Sequence, residues 1–227
     1  IHAGLSAKEA KKHFYLVDKQ GLLFEDTPNL TDGQKKFTRK RMEFTHPDKL
    51  TDLYHIVQAI RPTVMIGTST KPKAFTKKVV QEMAQYTKRP IIFPLSNPTK
   101  LAEAKAQDLL EWTKGKALVA TGVPTNNIKY QGINYEIGQA NNALVYPGVG
   151  FGAIAVGAKI INKKMLSSAS HALSGIVDPT QPGASVLPPV SKLEQFSTKI
   201  AEVVGQSAID QGLAKDGITD AKKAVAD

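Results

Sequence analysis

The chain has 227 residues, no cysteine, and 30 basic against 20 acidic side chains, which gives a formal charge of +10. Hydrophobic residues make up 41% of the chain and charged residues 22%, which excludes a disordered or collagen-like protein. Without cysteine the chain forms neither disulfides nor thiolate metal sites, as is common in the cytoplasm. No apolar stretch approaches the ~20 residues of a membrane span. The sequence therefore predicts a cytoplasmic protein with no membrane partner.

The positive charge is concentrated in the first part of the chain. Residues 1–100 contain 18 Lys and Arg against 9 Asp and Glu, and the densest basic cluster lies between Lys35 and Arg41. A nucleic-acid site would combine such a cluster with several stacking aromatic residues or a recognisable binding motif. This cluster contains one aromatic residue, Phe37, and no such motif accompanies it. We interpret it as a solvated surface that attracts a small anionic ligand, and expect no nucleic-acid partner.

Short apolar runs alternate with helical patterns along the first half of the chain. The runs are Phe14–Val17, Thr63–Ile66, Ile91–Leu95 and Ala117–Ala120. Such runs are typical of strands that are buried on both faces of a parallel sheet. Apolar residues at helical spacing predict a helix that begins at Thr76 and another over Pro98–Trp112. The alternation predicts an α/β fold with a doubly wound parallel sheet of the Rossmann type.

The pattern changes after Gly122. Alternating residues predict a small hairpin over Ile128–Tyr135, and the prolines of Val177–Pro189 predict an extended connection. An apolar helix is expected from Ala153, and another over Ser191–Gly205. We predict one domain over residues 1–205 and a C-terminal helical tail over residues 206–227.

Ligands of doubly wound sheets bind at the carboxyl ends of the strands. The residues that follow the predicted strands are Asp18, Lys19, Gly67, Thr68, Ser96 and Asn97. An acidic residue in the position of Asp18 accepts hydrogen bonds from an adenine ribose in dinucleotide folds, but an ordinary turn uses the same residue type. Asn97 before Pro98 is also typical of a helix start, and Asn141–Asn142 of a turn.

The glycine fingerprint of a dinucleotide fold is expected roughly 20 residues or more before the ribose acid, which places it before residue 1. We therefore expect the chain to lack the first strand and the phosphate loop of the fold. Gly148–Ala153 matches the G-x-G-x-x-A pattern, but Pro147 precedes it, and Asp178 further on belongs to the proline-rich connection. We do not interpret this segment as a pyrophosphate site.

Four motifs, in this order, resemble the carboxyl-terminal NAD-binding part of the malic enzyme superfamily. They are Phe14–Leu23, Ile91–Thr99, Trp112–Ala117 and Gly138–Gly148. The tract Ser174–Pro179 is more similar to the bacterial malolactic branch than to ordinary malic enzymes. The resemblance implies NAD- and Mn²⁺- or Mg²⁺-dependent decarboxylation of L-malate, to L-lactate and carbon dioxide in the malolactic branch. A malic enzyme that releases pyruvate and NADH, and a noncatalytic nucleotide-binding module, are the alternatives.

The resemblance also implies roles for residues at matching positions. It assigns NAD binding to Asp18, Lys19, Gly67, Thr68, Ser96 and Asn97, and malate binding to Asn97, Asn141 and Asn142. The acid/base pair, the metal ligands and the phosphate loop of the family all precede the matched motifs. We therefore expect no catalytic or metal-binding residue in this chain and no activity of the chain alone. For the longer enzyme, the resemblance implies a homodimer or a larger homo-oligomer.

Overall fold

The computed structural model describes residues 4–227, which form two compact units. The first unit contains the residues up to Ser96 together with Lys100–Ala117, and the second contains Asn97–Thr99 and Leu118–Asp227. Within the described residues, no helix is both long enough and apolar enough to cross a membrane.

The first unit combines a parallel pair of strands with short helices. Its strands are β1 (Val17–Asp18), β2 (Gly21–Leu22), β3 (Val64–Gly67) and β4 (Ile91–Pro94), and its helices are α1 (Ala7–Lys11), α2 (Asp32–Lys35), α3 (Leu53–Ile60), α4 (Lys77–Tyr86) and α5 (Ala106–Trp112). β3 and β4 are parallel, with Gly67 opposite Pro94. Helix α4 connects them, and the Thr76 side chain caps it by accepting a hydrogen bond from the Val79 N–H. This strand–helix–strand segment confirms the sequence prediction.

The first apolar run was expected to be a strand buried in the parallel sheet, and this expectation is wrong. Only Val17 and Asp18 are in a strand, and it pairs antiparallel with β2. Val17 is 42% exposed and Phe14 54%. Gly21 explains the reversal, because it has a φ of +99° and packs against the Leu50 backbone, where a side chain would collide.

Two further expectations for this unit need correction. β3 is buried on one face, since Val64 is 44% and Ile66 58% exposed, whereas Met65 and Gly67 are buried. The helix expected over Pro98–Trp112 is divided into a 3₁₀ turn at Thr99–Leu101 and helix α5. Between them lies Glu103, whose carboxylate and backbone carbonyl bond to other segments instead of continuing a helix.

The second unit has its own parallel strand pair and a helical layer. Its strands are β5 (Leu118–Thr121), β6 (Ile128–Tyr130), β7 (Ile133–Tyr135) and β8 (Gly138–Gln139), and its helices are α6 (Tyr146–Ala155), α7 (Lys163–Ser174), α8 (Leu193–Ile209) and α9 (Ala221–Ala226). β5 and β8 are parallel. The expected hairpin is confirmed by the antiparallel pair β6–β7, and the stretch Val177–Pro189 contains no helix or strand. Parallel strands with helices in both units confirm the α/β class.

Helices α6 and α8 pack closely because α6 has glycine where they cross. α6 begins at Tyr146, earlier than the expected Ala153, so the glycine-rich segment is helical. A methyl group on Gly148 would lie 2.6 Å from the Ser197 carbonyl oxygen, and one on Gly152 would overlap the Ala201 backbone. Around this crossing the buried residues form one apolar cluster, which includes Val149, Val156, Ile200 and Val204.

Substitution of the two glycines on opposite faces of α6 should have opposite effects. Gly152→Ala places a methyl group into the Ala201 backbone, and we expect it to lower the free energy of unfolding by about 1–3 kcal/mol. Gly150→Ala is the matched control, because a methyl group there has no neighbour within 4 Å, and we expect it to stabilise the helix by about 0.5–1 kcal/mol. Urea unfolding followed by circular dichroism measures both, and equal effects would contradict the packing role of Gly152.

Candidate cofactor site

In the first unit, the carboxyl ends of β3 and β4 bring together three of the residues predicted to bind NAD. Directly after the last paired residues of β3 and β4, the Leu95 N–H donates to the Gly67 carbonyl oxygen at 2.9 Å. The Ser96 hydroxyl then accepts a hydrogen bond from the Thr70 N–H at 2.8 Å. Gly67, Thr68 and Ser96 therefore lie on adjacent connections, where ligands of parallel α/β sheets bind. Thr68 is exposed and Ser96 is buried.

A buried carboxylate, Glu103, organises these two connections. Its Oε1 accepts hydrogen bonds from the Ser69 N–H at 2.8 Å, the Ser69 hydroxyl at 2.9 Å and the Ser96 hydroxyl at 2.5 Å. Its Oε2 accepts one from the Ser96 N–H at 3.3 Å. Glu103, Ser69, Ser96 and Thr70 form what we call the Glu103 cluster. Sequence reasoning missed Glu103, because the predicted helix also contains Asp108 and Glu111 and no local pattern distinguishes Glu103 from them.

The glycine at position 67 is explained by the same carboxylate. A methyl group on Gly67 would lie 2.5 Å from Glu103 Cδ and 2.8 Å from Oε2. The Glu103 backbone adds a further link, because its carbonyl oxygen accepts a hydrogen bond from the Phe75 N–H at 3.0 Å. Gly67 therefore provides room for Glu103, a structural role beside the cofactor role predicted for it.

The hydrogen bonds keep Glu103 ionised. Burial raises the pKa of its carboxyl group, and the hydrogen bonds from Ser96 and Ser69 lower it. Together the hydrogen bonds have the larger effect, so the pKa lies below the ordinary value of 4.5. The Ser69 and Ser96 N–H groups, which point at the carboxylate, can only donate, so they require an acceptor. The anion is thus the form that satisfies every donor around it.

Asp18 lies at the end of β1 with its carboxylate exposed and oriented by two donors. Oδ1 accepts a hydrogen bond from the Lys19 N–H at 2.8 Å, and Oδ2 accepts one from the Gln34 side-chain amide at 3.0 Å. Gln34 belongs to α2, where it also completes a capping box with Thr31. The carboxylate is held in place and still has unoccupied lone-pair positions, as a ribose-binding acid requires.

In the second unit, Asn141 and Asn142 follow β8 at the carboxyl edge of its parallel pair. The Ala140 N–H donates to the Thr121 carbonyl oxygen at 2.9 Å, which places the asparagines beside the end of β5. Asn141 Oδ1 accepts a hydrogen bond from the Ala143 N–H at 2.9 Å, so its carbonyl group caps the turn Asn142–Leu144. Both asparagines are exposed. The turn-forming reading holds for Asn141, and its side-chain NH₂ group remains a donor for a ligand.

Asn97 is exposed, and the 3₁₀ turn after it begins at Thr99. Pro98 is therefore outside the helical turn, and the reading of Asn97–Pro98 as a helix start is wrong. In residues 4–227, no three or more His, Asp or Glu side chains are grouped closely enough to hold a metal ion. The roles of the predicted residues toward NAD and malate stay predictions.

Parallel strands that end in glycine, hydroxyl and amide groups are typical of nucleotide-binding α/β proteins. The chain belongs to the malic enzyme family, since the family description "Malic enzyme, NAD binding domain" matches residues 1–209. It is 63% identical over 227 residues to the malolactic enzyme of Lactiplantibacillus plantarum and 60% identical over 225 residues to that of Leuconostoc mesenteroides. To NAD-dependent malic enzyme 3 of Bacillus subtilis it is 42% identical over 232 residues. The predicted family is confirmed, and the chain is more similar to these malolactic enzymes than to this malic enzyme, as the resemblance implied.

These matches cover all or nearly all of this chain. They cover only 41–42% of the length of each relative. Among solved structures, the fold resembles the malic enzyme of Entamoeba histolytica, with a TM-score of 0.69, 24% identity, and coverage of 93% of this chain and 40% of the other. The NAD-dependent malic enzyme of Thermotoga maritima is similar with a TM-score of 0.57, 24% identity, and coverage of 85% and 43%. These likenesses support the fold.

The ionised state of Glu103 predicts a pH-dependent contribution to stability. Because the folded-state pKa is depressed, the contribution is complete above the ordinary value of 4.5 and is lost as the pH falls through the folded-state pKa. Urea unfolding of the unsubstituted chain and of Glu103→Gln, from pH 7 to pH 3, measures the difference in unfolding free energy. We expect this difference to shrink below pH 4.5. A difference that stays constant across this range would contradict an ionised Glu103.

Proposed function

We propose that this chain is the NAD-binding part of a malolactic enzyme, which converts L-malate to L-lactate and carbon dioxide. The observation that carries the proposal is the difference in identity, 63% to a malolactic enzyme against 42% to an NAD-dependent malic enzyme. The alternative is an NAD-dependent malic enzyme that releases pyruvate and NADH. Both reactions share the same first steps, so the fate of the hydride separates them.

NAD held by this chain would supply a hydride acceptor for C2 of malate and, in the malolactic reaction, the donor that returns the hydride to the same carbon after loss of the C4 carboxylate as carbon dioxide. Pyruvate that stays in place would then gain the hydride and a proton to give lactate, with no net oxidation. The chain's task in this reaction is to hold the cofactor and the three-carbon product together until the hydride has returned.

The roles proposed for the residues follow their positions. Asp18 accepts hydrogen bonds from the adenine ribose hydroxyl groups, with Lys19 as its neighbour. Gly67, Thr68 and Ser96 line the path of the cofactor. Asn97, Asn141 and Asn142 donate amide hydrogen bonds to the carboxylate or hydroxyl oxygens of malate, or to the nicotinamide region. Support comes from the exposure of both the Asp18 carboxylate and the asparagine amides.

The described residues do not fit a metal site, because they contain no cluster of three carboxylate or imidazole ligands. We therefore assign no step to a cation in this chain. For the longer enzyme we propose Mn²⁺ or Mg²⁺ held by residues outside the described part, a homodimeric or larger assembly, and a cytoplasmic location.

A chimera tests the reaction. We expect an enzyme in which this chain replaces the matching part of the L. plantarum relative to convert malate to lactate without accumulating NADH. The unmodified relative is the positive control, and the relative without the replaced part is the negative control. Lactate and NADH are quantified in the presence of malate, NAD and Mn²⁺. Stoichiometric pyruvate and NADH would identify the malic enzyme reaction and overturn the malolactic proposal.

The chain alone should be inactive in the same assay. Its described residues contain the NAD-side groups discussed above, and the proposal places the acid/base and metal groups elsewhere. We expect turnover of malate at the background rate, while calorimetry detects heat on addition of NAD. Full activity of the isolated chain would contradict this separation of the NAD-binding groups from the acid/base and metal groups. NAD binding by the chain together with a chimera that converts no malate would favour the noncatalytic nucleotide-binding module.

A further inference from the structure

We propose that Glu103 is a positioning residue for NAD binding. Through hydrogen bonds with Ser69 and Ser96, it fixes the backbone of Gly67–Thr70 from the buried side of this loop. The inference rests on the proposed function and deepens it, because no role in cofactor binding was assigned to Glu103. It identifies the buried carboxylate as the group on which the shape of the cofactor-facing loop depends.

The first argument is the position of Glu103 relative to the loop. The Glu103 side chain is fully buried, whereas Thr68, Ser69 and Thr70 are exposed. The carboxylate bonds to the N–H and the hydroxyl of Ser69. It therefore orients the loop without occupying the surface that a ligand would contact.

The second argument is the conformation of Thr70. Its φ of +55° lies in the left-handed region, which is uncommon for a threonine. The Ser96 hydroxyl accepts a hydrogen bond from the Thr70 N–H and donates its own proton to Glu103, which links the unusual residue to the buried charge. Such conformations persist where surrounding contacts over-determine them, often at binding sites.

The third argument is the contrast with the other buried glutamate of this unit. Glu82, on α4, is 6% exposed and accepts long hydrogen bonds of 3.4 Å from the Tyr54 hydroxyl and the Gln85 amide. Both partners belong to helices. Glu82 thus shares the burial and residue type of Glu103, but the partners of its carboxylate lie on α3 and α4 and not on the cofactor-facing loop.

The experiment compares Glu103→Gln with Glu82→Gln in the chimera, by measuring lactate formation as a function of NAD concentration. Glutamine at position 103 has one oxygen that can accept hydrogen bonds, and its NH₂ group would face serine groups that donate. The loop therefore loses its hydrogen bonds to a charged group and at least one hydrogen bond altogether. We expect the KM for NAD to rise about tenfold with kcat within about threefold. The control Glu82→Gln should leave the KM for NAD within about twofold of the unsubstituted chimera.

The outcomes separate the inference from the proposed function. An unsubstituted chimera that forms no lactate sinks the proposed function. An active chimera in which Glu103→Gln and Glu82→Gln have the same KM for NAD overturns the positioning role alone. If circular dichroism shows that Glu103→Gln does not fold, Ser69→Ala decides, because it removes the hydroxyl that donates from the loop to Glu103, at a residue with no proposed contact to NAD. A KM for NAD raised about threefold or more by Ser69→Ala supports the role, and an unchanged KM overturns it.

Discussion

A single buried negative charge determines the local structure at the carboxyl ends of β3 and β4. An ionised carboxylate that is removed from water is costly unless hydrogen bonds replace its hydration. Glu103 meets this requirement with four donors from two serines and, among residues 4–227, forms no ion pair. The arrangement requires the connections after both strands to approach the carboxylate. It also requires glycine at position 67, where any side chain would occupy the space of the carboxyl group.

The parallel edge of the second unit uses a neutral version of the same principle. There the Asn141 side chain satisfies the Ala143 N–H, and the Thr121 hydroxyl donates to the Val123 carbonyl oxygen at 2.9 Å. Short polar side chains thus complete the backbone hydrogen bonding at the ends of the strands, as turns require. At the first edge, the Lys71 N–H also donates to the Ser69 hydroxyl at 3.1 Å, so an exposed lysine directly follows the loop.

Short sequence patterns correctly predicted the elements that depend on interactions between residues close together in the chain. The Thr76 cap and the hairpin β6–β7 follow from residues within a few positions of one another, and both are present. The errors have long-range causes. The turn into β2 depends on the contact of Gly21 with the distant Leu50 backbone, and the serines around Glu103 are 7 and 34 positions away. Arg39, expected as a solvated cation, instead lies 4.5 Å from the Tyr15 ring and pairs with Glu43.

The proposed malolactic reaction places a particular demand on a cofactor loop. A malic enzyme transfers the hydride once, before decarboxylation, whereas a malolactic enzyme must transfer it twice, in opposite directions, before the cofactor and product separate. The cofactor must therefore remain bound from the first transfer to the second. A loop whose conformation is held by a buried anion, and not by the ligand, keeps its shape while the substrate changes from a dicarboxylate to a monocarboxylate. In the proposed enzyme, the hydrogen bonds from Ser69 and Ser96 to Glu103 would hold the loop independently of the substrate.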